Sequence, residues 1–107
     1  MHGFGFRVFV DLFRNAVDAM PRGGKLTVSC EEVGGRAVVT VKDTGSGIEE
    51  ANLPKIFAPF FKTEASGMGM GLAICKEVVE AHGGDIEAES KVGVGTKFTV
   101  SLPLTRG

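Results

Sequence analysis

Clusters of glycine divide this chain of 107 residues into short segments and so limit what it can fold into. The chain has 16 glycines, and most of them lie between apolar stretches. Glycine ends helices and strands, and it also lets backbone approach another group closely. Each cluster therefore predicts a turn or a ligand contact. The clusters are at 23–24, 34–35, 45–47, 67–71, 83–84 and 93–95.

The segments between these clusters predict a helix, a hairpin, a long irregular stretch, a second helix and a second hairpin. Apolar residues at helical spacing predict helices at 6–20, with its stripe at residues 9, 12, 13, 16 and 20, and at 71–82. Alternation predicts half-buried strands at 25–32, 37–42, 85–90 and 97–102, and a short helix is expected near 49–57. The apolar stripe of the second helix is predicted to be Ile74, Cys75, Val78 and Ala81.

This order of elements predicts an α+β fold in one domain that spans 1–107. Helices and strands in separate runs favour a two-layer α/β sandwich. We expect a mixed, mainly antiparallel sheet with helices on one face.

The composition excludes several classes of protein. A net charge of −1 gives no reason to expect a nucleic-acid partner or contact with an anionic membrane. No apolar run is long enough to span a bilayer, and no signal peptide is evident. Cys30 and Cys75 lie in predicted regular elements, so we expect both to be buried, reduced thiols in a cytoplasmic protein.

The stretch "DTGSGI" at 43–48 directly follows the strand at 37–42. Asp, Gly and Ser are common in ordinary turns, which gives Asp43 a purely structural explanation. Two glycines after a strand-end carboxylate would also let a ligand reach it. The stretch alone leaves both interpretations open.

Three short polar side chains share one face of the first helix. Asp11, Asn15 and Asp18 are spaced at i, i+4 and i+7. A solvated face explains them, but oxygen-bearing side chains in line also suit Mg²⁺, which takes oxygen ligands.

"GMGMGLAI" at 67–74 leads from three alternate glycines into a helix. The free N–H groups and the positive dipole end of a helix favour a phosphate there. It is neither a Walker loop nor a dinucleotide fingerprint, because no Gly-Lys-Ser/Thr follows it and no strand precedes it. A flexible linker is the structural alternative.

Together these motifs resemble the ATP-binding domain of bacterial sensor histidine kinases. In order, "DLFRNAVDAM", "DTGSGI", "LPKIFAPFF", "GMGMGLAI" and "GVGTKF" are similar to the five sequence boxes of that domain. The domain belongs to the GHKL superfamily, with gyrase, the heat-shock chaperone ATPases and the mismatch-repair ATPases. The resemblance covers about residues 8 to 104 and implies the Bergerat ATP-binding fold.

The resemblance implies a role for individual residues. Asn15 would bind Mg²⁺, and Asp43 would accept a hydrogen bond from the exocyclic amine of adenine. Gly45 and Gly47 would let backbone close on the base, while Thr96 would support the adenine side of the pocket.

The resemblance further implies a phosphate-facing turn and an ATP lid. Residues 48–68 would move when nucleotide binds. The remaining predicted contacts with ATP or ADP are Asp18, Ile48, Phe57, Lys62, Gly67, Met68, Gly69, Met70, Gly71 and Leu72, and Phe60 and Phe61 would belong to the lid.

The chain departs from the pattern at several points. It has no phosphoacceptor box, since His2 lies in the first residues and His82 ends a helix. The start at "MHGFGF" leads us to expect one sheet edge that is missing or built differently. Glu64 stands where a lysine is common in the lid, so Lys62 would have to supply the charge.

The resemblance implies a kinase domain that gives the γ-phosphate of Mg·ATP to a histidine on a separate dimerisation domain, and through it to a response regulator. Two alternatives stay open. The first is an ATPase or clamp of the same superfamily in which Asp11 activates water. The second is a nucleotide-binding module without catalysis.

Overall fold

The computed structural model describes residues 4–58 and 71–104, which form two helices, one short 3-10 helix and four strands. The elements in chain order are α1 (Phe4–Asp18), β1 (Leu26–Val33), β2 (Arg36–Asp43), a 3-10 helix (Leu53–Lys55), α2 (Gly71–Ala81), β3 (Asp85–Lys91) and β4 (Gly95–Pro103). The predicted order is therefore confirmed, and the helix expected near 49–57 is a single 3-10 turn.

The four strands form one sheet in the order β1-β2-β4-β3, with every pair antiparallel. Both helices lie on the same side, where α1 contacts β2, α2 contacts β3, and the helices contact each other. The fold is the expected α+β sandwich of two layers. The described strands are wholly antiparallel, so the parallel pairing allowed by a mixed sheet is not seen among them.

The core lies between the helices and the sheet. Cross-strand partners share a face of an antiparallel sheet, so Val41, Phe98 and Ala88 form one row, and Val39, Val100 and Ile86 form the next. The fully or nearly fully buried core residues are Val8, Leu12, Val41, Ile56, Leu72, Cys75, Val79, Ile86, Phe98 and Val100.

The apolar face of each helix is displaced slightly from the predicted stripe. Helix α1 buries Val8, Leu12 and Ala16, and Ala19 is buried just after its last residue, whereas Phe9 and Phe13 are only partly buried beside the core. Helix α2 buries Leu72, Cys75 and Val79, and Ala81 is exposed. Leu72 and Val79 thus belong to the apolar face although they were not predicted there, and the predicted Val78 is partly buried against the core.

Helix α2 ends in the glycine cap that the sequence predicts. Gly84 N–H donates to Val79 O at 3.0 Å, and Gly83 N–H donates to Glu80 O at 3.0 Å. This pair of hydrogen bonds satisfies carbonyl groups of the last turn. His82 Nδ1 lies 2.9 Å from Val78 O, where a nitrogen that carries the proton donates to the carbonyl.

Strand β1 is an exposed edge, which corrects two expectations. All eight of its residues are exposed, although the alternation predicted a half-buried strand. Val28 faces the same side as its buried partner Val41 but is 48% exposed, because neither helix covers β1. Cys30 lies on the same strand and is exposed, so only Cys75 is the buried thiol that we predicted.

Within the described residues, no helix has the length and apolar character needed to cross a bilayer.

Candidate functional site

A row of polar residues crosses the sheet where the apolar core ends. Asp43 on β2 is the cross-strand partner of Thr96 on β4, and Thr96 is in turn the partner of Ser90 on β3. Asp43 is 2% exposed and Thr96 is 4% exposed. The three side chains therefore face the helices, one row beyond Val41 and Phe98. Buried polar groups in this position can hold a ligand that enters from the end of the sheet.

The carboxylate of Asp43 is fixed by the turn that follows it. Gly45 N–H donates to Asp43 Oδ1 at 2.8 Å, which is the side-chain-to-backbone bond of an Asx turn. No other side-chain hydrogen bond joins Asp43 to the described part of the chain. The carboxylate is thus oriented, and its second oxygen is the acceptor that it can offer to a ligand.

The turn at 43–48 is attached to elements on both sides of it. Ser46 N–H donates to Ala19 O at 3.0 Å, at the end of α1. On the other side, Gly93 N–H donates to Ser46 O at 2.9 Å, and Ile48 N–H donates to Ser90 Oγ at 2.7 Å. These bonds hold the backbone beside Asp43 against α1 and against the turn between β3 and β4.

Close backbone contacts explain both glycines of this turn. A Cβ on Gly45 would meet the carbonyl of Ala19, and a Cβ on Gly47 would meet the carbonyl of Lys91. Gly47 also has a φ of 80°, which disfavours other residues. Both predicted glycines therefore lie next to Asp43 for a structural reason, and any contact they make with a base is additional.

The polar face of α1 is directed partly toward α2. Arg7 Nε lies 3.3 Å from Asp11 Oδ2 in an i, i+4 ion pair, and the Asp11 side chain is 10% exposed. The thiol of Cys75 lies 3.8 Å from the same oxygen and 3.7 Å from Val8 O. Asn15 is half-buried one turn later, and Asp18 is exposed at the end of the helix.

Burial raises the pKa of the Cys75 thiol to about 12, and the nearby carboxylate of Asp11 adds to the effect. Both causes disfavour the thiolate. Cys75 is therefore a protonated thiol that packs between the two helices. Across residues 4–58 and 71–104, no three His, Cys, Asp or Glu side chains gather as a metal site.

Three predicted contacts lie on an apolar surface beside the polar row. Leu72 is 8% exposed, and Ile48 and Phe57 pack against the core. The Phe57 ring meets the Phe98 ring edge-on at 6.3 Å between centroids, and Lys76 Nζ lies 5.3 Å above the Phe57 ring. Phe57 thus packs against the core from within the segment at 48–68 that is predicted to be a lid.

The other predicted contacts fall partly outside the described residues. Gly71 is the first residue of α2, where free N–H groups of the helix begin. Those outside are Lys62, Gly67, Met68, Gly69 and Met70, together with Phe60, Phe61 and Glu64.

A cavity of about 330 Å³ opens at the same end of the sheet. Its lining combines Asp43 and Thr96 with Lys42 and Lys97, which point to the outer face. The cavity therefore extends across the end of the sheet and does not lie only between the sheet and the helices.

Comparison with known proteins identifies the family. The sequence profile of the histidine kinase-, DNA gyrase B- and HSP90-like ATPases matches residues 4–106. The chain belongs to this family.

Relatives of the chain include a sporulation kinase and a sensor histidine kinase. Sporulation kinase C of Bacillus subtilis is 40% identical over 98 residues, which are 92% of this chain and 23% of that protein. Sensor histidine kinase ZraS of Klebsiella oxytoca is 46% identical over 99 residues, again 92% of this chain and 21% of that protein. The chain thus spans less than a quarter of the length of these curated relatives.

Solved structures agree with this assignment. The nucleotide-free catalytic domain of histidine kinase ThkA superposes with a TM-score of 0.84 at 34% identity, covering 96% of this chain and 69% of that one. The mycobacterial sensor histidine kinase MprB gives a TM-score of 0.81 at 29% identity, covering 91% and 70%. The chain is an ATP-binding catalytic domain of the sensor histidine kinase type.

Sequence reasoning missed Ser90 in this domain. Its hydroxyl oxygen lies 2.8 Å from Thr96 Oγ1 and 2.9 Å from Gly95 O, besides the bond from Ile48. The alternation of β3 could have revealed it, because Ile86, Ala88 and Ser90 share the core-facing side. Ser90 comes at the end of this apolar row, so its polar side chain lies next to the core.

Proposed function

We propose that this domain binds Mg·ATP and transfers the γ-phosphate to a histidine on a separate dimerisation domain. That phosphohistidine would then supply a response regulator. Family membership and the sensor kinases among the relatives support this proposal. The isolated chain would bind nucleotide without modifying itself.

The buried carboxylate of Asp43 is the observation that carries the proposal. A carboxylate accepts hydrogen bonds, and the exocyclic amine of adenine donates them. Guanine presents a carbonyl oxygen at the same position, which would leave the charge of Asp43 unpaired in a buried site. We therefore propose Asp43 as the adenine-reading residue, with Thr96 beside it.

The helices supply groups suited to the phosphates and to Mg²⁺. Asn15 would hold the ion through its amide oxygen, since Mg²⁺ prefers oxygen and commonly takes few ligands from protein. The half-buried position of Asn15 on α1 fits this role. The bound ion would neutralise phosphate charge, and the N-terminal N–H groups of α2 would orient the phosphate chain.

We place the domain in the cytoplasm, where ATP is available and thiols stay reduced. Free Cys30 and Cys75 are consistent with that compartment. Because the net charge is only −1, we propose neither a nucleic acid nor a membrane surface as a partner.

Calorimetric titration with Mg·ATP, Mg·ADP and Mg·GTP tests the proposal. We expect adenine nucleotides to bind and Mg·GTP to bind much more weakly. Asp43→Asn should cost about 1.5–3 kcal/mol of Mg·ATP binding free energy, because a charge-assisted hydrogen bond is lost. Asp85→Asn makes the same chemical change at an exposed site and should leave affinity unaltered. Binding without preference for adenine, or full affinity in Asp43→Asn, would refute the assignment.

A further inference from the structure

We infer that Ser90 is a specificity-determining residue: it orients the Thr96 hydroxyl so that the site offers only acceptors to the 6-position of the purine. This inference rests on the proposed binding of adenine nucleotide. It assigns a role to a side chain that does not itself need to touch the base.

The hydrogen bonds around Ser90 fix where its proton goes. A serine hydroxyl has one proton to donate and two lone pairs that accept. Ile48 N–H uses one lone pair at 2.7 Å. Gly95 O lies 2.9 Å away and can only accept, so Ser90 donates to it.

The Thr96 hydroxyl is then left with one arrangement. Thr96 Oγ1 lies 2.8 Å from Ser90 Oγ, whose proton is already given to Gly95. Thr96 must therefore donate its own proton into the second lone pair of Ser90. What Thr96 can offer on its other side is lone pairs only.

Two acceptors consequently stand side by side at the end of the sheet. Asp43 and Thr96 are cross-strand partners and are both buried. The amino group of adenine has two N–H donors and can satisfy both acceptors, directly or through one water. Hypoxanthine and guanine carry an oxygen at this position, which two acceptors would repel.

Removing the Ser90 hydroxyl should release this constraint. Without it, the Thr96 hydroxyl can rotate and donate to an oxygen of the ligand. Ser90→Ala should therefore narrow the preference for adenine over hypoxanthine, in addition to any general loss of affinity. Mg·ADP and Mg·IDP form a suitable pair of probes, because they differ only at the 6-position and in the proton that the 6-oxo base carries on N1, and neither can transfer a γ-phosphate.

The experiment compares the dissociation constants of Mg·ADP and Mg·IDP for wild type, Ser90→Ala, Ser90→Thr and Ser101→Ala. We expect the IDP/ADP ratio to fall about tenfold in Ser90→Ala, the scale of one hydrogen bond, and to be restored in Ser90→Thr. Ser101→Ala is the matched control. It loses the 2.7 Å bond from Arg36 Nε on the outer face, so it should keep the wild-type ratio even if it lowers stability.

Two failures can be told apart. If wild type does not prefer ADP to IDP, the proposed reading of adenine is wrong and the role of Ser90 falls with it. If wild type discriminates and Ser90→Ala keeps the ratio, only the role of Ser90 is refuted. If Ser90→Ala does not fold, Ser90→Cys replaces it in the experiment. Cys is similar to Ser in size but is a weak hydrogen-bonding group, so we expect this variant also to lower the IDP/ADP ratio. An unchanged ratio in that variant would equally refute the inference.

Discussion

At the scale of single residues, the alternative of an ATPase that activates water depends on Asp11. Its Oδ2 contacts both the Arg7 guanidinium and the Cys75 thiol, so the carboxylate is partly engaged in the packing of α1 against α2. A general base must lie within about 2.6–3.2 Å of the proton that it removes, or act through one water. The observed contacts favour a positioning role beside Asn15.

We therefore predict weak ATP hydrolysis at most, and its loss in Asp11→Asn with little change in Mg·ATP affinity. The variant should fold, since Asn keeps the size of the side chain and an i, i+4 ion pair with an exposed arginine contributes only about 0.5 kcal/mol. A coupled assay of phosphate release together with calorimetry measures both quantities, with Glu77→Gln on the exposed side of α2 as the control. A large loss of affinity would indicate a place in the metal shell, and unchanged hydrolysis would remove Asp11 from the reaction.

The raised pKa of Cys75 predicts a pH-dependent stability. The thiol titrates at about 12 when folded and near its ordinary value of 9.0 when unfolded, so the unfolded chain loses the proton first. The contribution is fully present below pH 9.0 and is lost as the pH rises toward about 12. The free energy of unfolding should fall by about 1.4 kcal/mol by pH 10.

Urea unfolding of wild type, Cys75→Ala and Cys30→Ala at pH 8 and pH 10 measures this contribution. All three proteins have the same lysines, so any effect of lysine cancels in the comparison. The decrease in the free energy of unfolding between pH 8 and pH 10 that is due to Cys75 should disappear in Cys75→Ala. It should persist in Cys30→Ala, because Cys30 is exposed. The same loss in all three proteins would mean that Cys75 does not titrate differently in the folded state.

At the scale of elements, the sequence predicts the type and order of the helices and strands correctly, because their periodicity is strong. The burial of β1 is predicted wrongly for a physical reason. Alternation reports which residues share a face, but whether that face is covered depends on where α1 and α2 lie. Val28 and Val41 are cross-strand partners with the same alternation, and only Val41 is under a helix.

The residues of the candidate site also divide into those that the sequence predicts and one that it does not. Asp43 and Thr96 could be predicted because each lies in a recognisable motif next to glycines. The alternation of β3 could place Ser90 on the core-facing side, but no local motif shows its hydrogen bonds, since its partners Ile48 and Thr96 come from two other segments. Cross-strand register brings them together, and register is a property of the folded sheet.

A comparison of Gly47, in the turn at 43–48, with Gly93 separates the effect of close backbone contact from the effect of a positive φ. Gly47 and Gly93 have nearly equal φ values of 80° and 81°, but only a Cβ on Gly47 would meet other atoms, in the backbone of Lys91 and Val92. A positive φ costs a non-glycine residue about 1–2 kcal/mol. Gly93→Ala should lower the free energy of unfolding by that amount and Gly47→Ala by clearly more, as measured by urea unfolding. Equal losses would show that the turn can move away from β3.

At the scale of the whole molecule, the site is assembled from most of the fold. Three strands supply the polar row, the turn at 43–48 closes on it, and α1 and α2 contribute from the other layer. A ligand that binds only this assembled state stabilises the entire domain. The chain has only His2 and His82 as histidines of its own.

The last prediction therefore concerns transfer between molecules. With labelled ATP and Mg²⁺, the chain alone should acquire no acid-labile phosphate, and adding a dimerisation domain from a related sensor kinase should give label on that domain. Catalysis then depends on positioning and charge neutralisation, so Asp43→Asn should reduce the transfer in proportion to bound nucleotide, and saturating ATP should partly restore it. Gel autoradiography after acid and alkali treatment distinguishes phosphohistidine from phosphoester. Acid-labile label on His2 or His82 would overturn transfer to a separate domain, because the chain would then contain its own acceptor.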